Sequence, residues 1–307
     1  MTLEQFEVKG KNNLTLKGIC VLPKKDPKAI IQIFHGMGEH KNRYIPFMQF
    51  MADHGYALYA HDHRKHGESV TEEDGYGIFE STDTWYDVLD DCYSVSRKIL
   101  KDFPGKKLII MGHSMGSVIA REFIAKNPLV PQAAIIMGTV PVMTPMKAFV
   151  PKTLANIIGL FKGKKRSPFL AGVVNKPLIA TYENPRTPFD WLTHDESIVD
   201  QYIEDPLCGY AYSAQFYKEF IGALATVNKS SLIMRTKDIP ILFISGIEDP
   251  VGEMGEGVKT IYELYNGHGY TNLTLKLIEN ARHEVLNEIN KNITYEEILV
   301  WCDAAIV

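Results

Sequence analysis

Gly112-His113-Ser114-Met115-Gly116 lies between an apolar run, Leu108–Met111, and a stretch of helical periodicity, Ser117–Ala125. Small residues on both sides of a serine let the backbone make a tight strand-to-helix turn. Such a turn holds the hydroxyl above a sheet, at the positive end of the following helix. Ser114 is therefore the candidate nucleophile. A serine hydroxyl needs a base to take its proton and a carboxylate to orient that base. After a turn of this kind the chain order is serine, acid, histidine. The loop after Ile241–Ile244 carries Glu248 and Asp249, and the loop after Leu273–Ile278 carries His283. Asp249, three residues beyond Gly246, suits the acid position better than Glu248. His268 precedes the last apolar run instead of following it, which disfavours it as the base. In Phe34-His35-Gly36-Met37-Gly38-Glu39-His40, the glycines let a backbone N–H turn toward the serine. The amides of Met37 and Met115 are then placed to form an oxyanion hole. The chemistry on offer is acyl transfer to a serine followed by hydrolysis.

These residues need a scaffold that brings several strand ends together. Short apolar runs at Ala29–Phe34, Ala57–Ala60, Leu108–Met111, Ala133–Met137, Ile241–Ile244 and Leu273–Ile278 alternate with helical periodicity. That rhythm predicts an α/β fold with a mostly parallel sheet covered on both faces. In such sheets the chemistry collects beyond the carboxyl ends of the strands. Phe6, Val8 and then Leu14, Leu16 alternate with polar residues around Gly10–Asn13, the pattern of a β-hairpin on an antiparallel edge. The rhythm fails between about Thr139 and Ser231. The expected organisation is a core from residues 1–138 and 232–307 with a helical cap inserted over 139–231.

Of the 307 residues, 45% are hydrophobic and 23% charged, a globular composition, and the net charge of −4 disfavours nucleic acid as a partner. Met1–Gly10 carries Glu4 and Glu7 and lacks a basic, apolar leader, and the longest uncharged stretch, 127–146, is interrupted by four prolines. The four cysteines have no C-x-x-C or metal-ligand spacing. Together these features predict a cytoplasmic protein with reduced thiols. His61-Asp62-His63 and His66 resemble a metal cluster superficially, but no distant group completes a shell by spacing, and no phosphate-cradling glycine loop follows a strand. No metal and no cofactor is expected.

His35–Tyr44, Gly112–Gly116, the Asp249 loop and Ala281-Arg282-His283-Glu284 resemble the monoacylglycerol lipase and lysophospholipase branch of the α/β-hydrolases, along the whole chain. Asp62–Ser69 is similar to the superfamily's D-x-R-G-x-G-x-S loop, with Lys65 where glycine is usual. Thr187–Leu192 and Asp205–Gly209 resemble the cap of bacterial lysophospholipase-like members. The resemblance implies an inserted helical cap and a serine carboxylesterase for single-chain lipid esters, monoacylglycerols first. Lysophospholipids follow as substrates, then short esters or amides. It also implies an alcohol-binding set matching Glu39, Arg43 and His113; for Glu39 and Arg43 the alternative is a structural ion pair. A ligand receptor on a hydrolase scaffold is the reading from another class.

Phe123–Tyr182 contains no acid but eight cations: Lys126, Lys147, Lys152, Lys162, Lys164, Lys165, Arg166 and Lys176. The run 162–166 follows the apolar piece Leu154–Phe161. This combination suits peripheral contact with an anionic membrane, the alternative being a solvated cap face.

Overall fold

A computed structural model describes residues 1–71, 75–142, 153 and 165–306. Its centre is an eight-stranded sheet with spatial order β1-β2-β4-β3-β5-β6-β7-β8. β1 (Thr2–Lys9) pairs antiparallel with β2 (Thr15–Leu22), and β2 pairs antiparallel with β4 (Ala57–His61). β3 (Ile30–Phe34), β4, β5 (Leu108–His113), β6 (Ala133–Met137), β7 (Ile241–Gly246) and β8 (Leu273–Ile278) run parallel. The hairpin register sets Phe6 opposite Gly18, where a Cβ would come within 2.2 Å of the Phe6 ring. Every residue of β3 to β7 is buried, which is why these strands read as continuous apolar runs. β5 and β7 extend past the apolar runs through Gly112-His113 and Ser245-Gly246. The ladder continues there because main-chain pairing with β6 and β8 does not depend on apolar side chains.

Helices cover both faces. On one side α1 (Ile45–Asp53) and the helix Lys291–Ala305 pack on Ile31, Ile33, Leu58 and Ile109. On the other, α2 (Trp85–Asp102), α3 (Met115–Lys126) and the helix Glu256–Gly267 pack on Ile110, Ile136 and Phe243. α2 begins in a reciprocal cap: the Asp87 N–H donates to Thr84 Oγ1 at 3.2 Å, and the Thr84 N–H donates to Asp87 Oδ2 at 2.8 Å. α3 sits close to the sheet because its approach is made of glycine. A Cβ on Gly112 would meet the Gly116 carbonyl oxygen at 2.1 Å, and one on Gly116 the Phe34 carbonyl oxygen at 2.0 Å.

Between β6 and β7 the described residues form the helices Pro168–Ile179, Glu196–Glu204, Ala214–Val227 and Ser230–Ile233, and no strand of the sheet. The segment divides in two. Ala214–Val227 packs through Phe216, Tyr217, Leu224 and Val227 into the same apolar layer as α2 and α3. Pro168–Ile179 and Glu196–Glu204 contribute Ala171, Asn175 and Tyr202 to the cavity over Ser114, to which Ala214–Val227 adds Tyr217. The apolar piece Leu154–Phe161 and four of the eight cations, Lys147, Lys152, Lys162 and Lys164, lie outside the described residues. Among the described residues no helix is long and apolar enough to cross a membrane.

Candidate active site

Ser114 stands between β5 and α3 with φ 53° and ψ −118°, a left-handed conformation that costs a non-glycine residue about 1–3 kcal/mol. Its main chain is clamped on both sides. The Ser114 N–H donates to the Met137 carbonyl at 3.0 Å. The Ser117 hydroxyl donates to the Ser114 carbonyl at 2.6 Å and lies 2.8 Å from Thr139 Oγ1. Such clamping is what a strained turn requires in order to persist.

Asp249 follows β7 and His283 follows β8. His283 Nδ1 lies 2.9 Å from Asp249 Oδ1. The same oxygen accepts the Val251 N–H at 2.8 Å, and the Ser245 hydroxyl donates to Oδ2 at 3.0 Å. Burial works to raise the carboxyl's proton affinity, but His283, Ser245 and Val251 together hold Asp249 below the ordinary carboxylate range. The other ring nitrogen, His283 Nε2, is buried with no hydrogen-bond partner among the described residues. His113 covers the ring at 4.7 Å between centroids and Trp191 at 5.2 Å. Glycine at 246 is what lets the histidine loop pass: a Cβ there would lie 2.0 Å from the Ala281 carbonyl oxygen. The two rivals sit elsewhere. Glu248 meets His194 Nε2 at 3.1 Å, and His268 Nδ1 donates to the Leu264 carbonyl at 2.7 Å.

Met37 lines the cavity beside Ser114, and Met115 opens α3 directly after it. The loop carrying Met37 rests on Ser114, since a Cβ on Gly36 would approach Ser114 Cβ to 3.2 Å. The segment before β7 braces this loop from above. The Gly38 N–H donates to the Tyr212 hydroxyl, which lies 2.9 Å from His66 Nε2, and the Gly209 N–H donates to the Gly38 carbonyl at 2.9 Å. Nothing in the spacing of Gly38 and Tyr212, 174 residues apart, announces this contact.

Glu39, Arg43 and His113 come together and are joined by Glu284, which sequence reasoning left without a role. Arg43 reaches Glu284 with two N–H groups at 2.5 and 2.7 Å and Glu39 Oε2 at 3.1 Å. Glu39 Oε1 accepts the Gly36 N–H at 2.6 Å and the Tyr44 hydroxyl at 2.9 Å, and lies 3.2 Å from His113 Nδ1. Glu39 and Glu284 are buried, yet their neighbours Arg43 and His113 hold both carboxyls below the ordinary range against that burial. Glu39, His113 and Glu284 form the polar wall of the cavity; Phe189, Trp191, Tyr202, Tyr210 and Tyr212 supply its aromatic side.

Beside the loop that carries Met37, His35, His61, His63 and His66 are packed together, with ring centroids of neighbouring pairs 4.1 to 6.1 Å apart. α2 adds Cys92, whose Sγ lies 3.8 Å from His61 Nε2 and 3.9 Å from His63 Nδ1, a third group that spacing did not reveal. These three side chains are wholly buried, and the distances are those of weak S–H hydrogen bonds. Lys65, where glycine is usual, takes φ 62°, and its carbonyl accepts the Gly77 N–H at 2.8 Å. The turn is thus kept, with a lysine in glycine's conformation.

A family profile described as serine aminopeptidase, S33 (Hydrolase_4) matches residues 25–290. The chain belongs to this family. It is an α/β-hydrolase and a serine hydrolase. It is similar to the monoglyceride lipase of Homo sapiens, 27% identical over 285 residues, covering 91% of this chain and 84% of that protein. The monoacylglycerol lipase of Mycolicibacterium smegmatis is 23% identical over 282 residues, covering 91% and 89%. Among solved structures, the thermostable carboxyl esterase from Bacillus coagulans in complex with glycerol superposes with a TM-score of 0.90 at 25% identity, covering all of both chains.

Proposed function

We propose that this serine hydrolase is a carboxylesterase for single-chain lipid esters, monoacylglycerols first, working through Ser114, His283 and Asp249. The observation that carries this reading is that Ser114, held at φ 53°, and His283, hydrogen-bonded to Asp249, line one aromatic-sided cavity. Ser114 Oγ attacks the ester carbonyl carbon while His283 Nε2 takes the hydroxyl proton; Asp249 holds the ring in orientation and stabilises the imidazolium. The amides of Met37 and Met115 receive the developing oxyanion. His283 then protonates the departing alcohol, leaving an acyl group on Ser114. Water that gives its proton to His283 attacks the acyl carbon; the collapse frees the fatty acid, and His283 returns the proton to Ser114.

The substrate class is supported by the monoglyceride lipases to which the chain is similar and by the charge at the alcohol end. Glu39, Arg43 and His113, with Glu284, form the wall the alcohol meets. Arg43 is already paired with two carboxylates there, which suits a neutral glycerol better than a phosphate. The family description names an aminopeptidase, so a peptide amide is the second reading. Residues 139–231 act as the cap-bearing insertion between the core parts 1–138 and 232–307. Lys165 and Lys176, flanking the exposed Phe169 and Val173, support peripheral contact of this cap with an anionic membrane. The deciding experiment is a panel of monoacylglycerol, lysophospholipid, nitrophenyl ester and aminoacyl amide. Fast turnover of monoacylglycerol is expected; preference for the amide overturns the reading, and a single slow turnover on all of them points to a receptor.

A further inference from the structure

His40 ends the loop that carries Met37, and Asp205 and Cys208 follow the helix Glu196–Glu204 of the insertion. The fold brings the three together. A ring nitrogen of His40, a carboxylate oxygen of Asp205 and Cys208 Sγ all lie within 4.8 Å of one another. His40 Nε2 is 2.8 Å from Asp205 Oδ2. Asp205 Oδ1 accepts the Leu207 N–H at 2.8 Å and the Asp205 carbonyl accepts the Cys208 N–H at 3.0 Å, a tight turn that sets the thiol beside the carboxylate. His40 and Cys208 are buried, Asp205 is half-buried, and Cys208 is a free thiol. The 165 residues between His40 and Asp205 leave no pattern in the chain.

We propose that His40, Asp205 and Cys208 bind one zinc ion, which ties the insertion to the Met37 loop and slows turnover. Imidazole, carboxylate and thiolate are the donors that zinc takes, at about 2.0–2.3 Å in a tetrahedron, so closing onto the ion asks for movements on the order of 1 Å. Magnesium and calcium take oxygen and leave a sulfur unused. The ion replaces the hydrogen that His40 Nε2 shares with Asp205. That hydrogen moves to His40 Nδ1, which is buried without a partner among the described residues, and the thiol proton goes to solvent. The carboxylate and the thiolate then match the two charges of the ion. Among the described residues no lysine or arginine is paired with Asp205, and Arg43, whose charge reaches both Asp205 and Cys208, is matched by Glu39 and Glu284. Asp205 also lines a cavity of about 180 Å³ with Asn42 and Gln201, a way in for the ion that does not pass Ser114. His61, His63 and Cys92 make the poorer site, since they include no carboxylate and are wholly buried. Next to Cys208, the Gly209 N–H holds the Gly38 carbonyl at 2.9 Å, and Tyr202 of the same helix lines the cavity over Ser114. An ion at this place fixes both. Binding does not depend on the esterase reading; the effect on turnover rests on it.

Cobalt(II) is the probe, because its bond to a thiolate absorbs in the near ultraviolet. It is titrated into the unaltered protein, Cys208→Ser, His40→Gln and Cys92→Ser. The unaltered protein and Cys92→Ser should gain the band at one equivalent and lose it when zinc is added. Cys208→Ser should show no band, and His40→Gln should bind about tenfold more weakly or worse. No band in the unaltered protein, a band kept by Cys208→Ser, or one lost in Cys92→Ser overturns the proposal. X-ray absorption of the zinc-loaded, unaltered protein decides independently of folding in the variants: one sulfur neighbour is expected, and none refutes the site. Zinc should also slow hydrolysis of a soluble nitrophenyl ester by the unaltered protein and not by Cys208→Ser. Equal slowing of both, or of neither, overturns the tie to turnover. Substantial turnover by Ser114→Ala would instead sink the esterase reading and leave the cobalt result standing.

Discussion

His113 and the cluster His35, His61, His63 and His66 both adjoin Gly36, and all five side chains are buried. Among the described residues no carboxylate touches a ring nitrogen of the cluster. His35 gives Nδ1–H to the Gly36 carbonyl at 2.8 Å and accepts the His63 N–H on Nε2 at 3.0 Å, which makes it a neutral tautomer. His66 Nδ1 lies 2.8 Å from the Arg64 carbonyl and Nε2 meets the Tyr212 hydroxyl. Burial lowers the proton affinity of all four, to about 3 for His61 and about 4 for His66. Beside Ser114 the same burial is outweighed, because His113 has Glu39 and Glu284 for neighbours. What decides a buried histidine's charge is whether an acceptor with charge of its own faces the ring.

The strongest way to break this contrast is to change a carboxylate on the catalytic side. Asp249→Asn should reduce kcat by about 10⁴-fold, because the amide no longer stabilises the imidazolium. Glu248→Gln, altering a partly exposed group bonded to His194, should be mild. The reverse ranking would move the acid to Glu248.

The cluster side is probed by acid. A group whose folded proton affinity is depressed contributes stability above its unfolded pKa, near 6.5 for histidine, and that contribution is lost as pH falls toward the folded value. The melting temperature should therefore drop from pH 6.5 toward pH 4. His61→Leu should make the free-energy slope shallower by about 1.4 kcal/mol per pH unit in that window. An unchanged slope would mean that His61 is not held neutral.

Tyr212 joins the two regions, one hydroxyl touching both His66 and the Gly38 N–H. Tyr212→Phe removes the acceptor of the Gly38 N–H; if the Met37 amide receives the oxyanion as proposed, kcat falls about tenfold with KM little changed. Equal kcat in the two proteins would show that Gly209 alone braces the loop. The smallest effect belongs to Lys65, at φ 62°. Lys65→Gly should raise stability by about 1 kcal/mol, read as a higher melting temperature, unless the greater freedom of glycine in the unfolded chain cancels the relief.

The strands were legible because they are apolar runs, and the candidate serine, acid and histidine were chosen by the same local signal, since each follows such a run. Glu284 was visible beside His283, but its bond to Arg43 spans 241 residues and leaves no pattern in the chain. Tyr212 and Cys92 escaped for the same reason: the loop before Ala214–Val227 places the one and α2 the other, and their spacing to Gly38 and His61 has no period. The helix Ala214–Val227 read as part of the insertion because it follows no buried strand, and packing against α2 and α3 is a tertiary fact.

The account stands on Ser114. Treating the protein with a fluorophosphonate and mapping the adduct by mass spectrometry, alongside monoacylglycerol turnover by Ser114→Ala, tests it most directly. The expected result is one adduct, on Ser114, and a loss of turnover of about 10⁶-fold with folding intact. An adduct on another serine, or substantial turnover by Ser114→Ala, would contradict it.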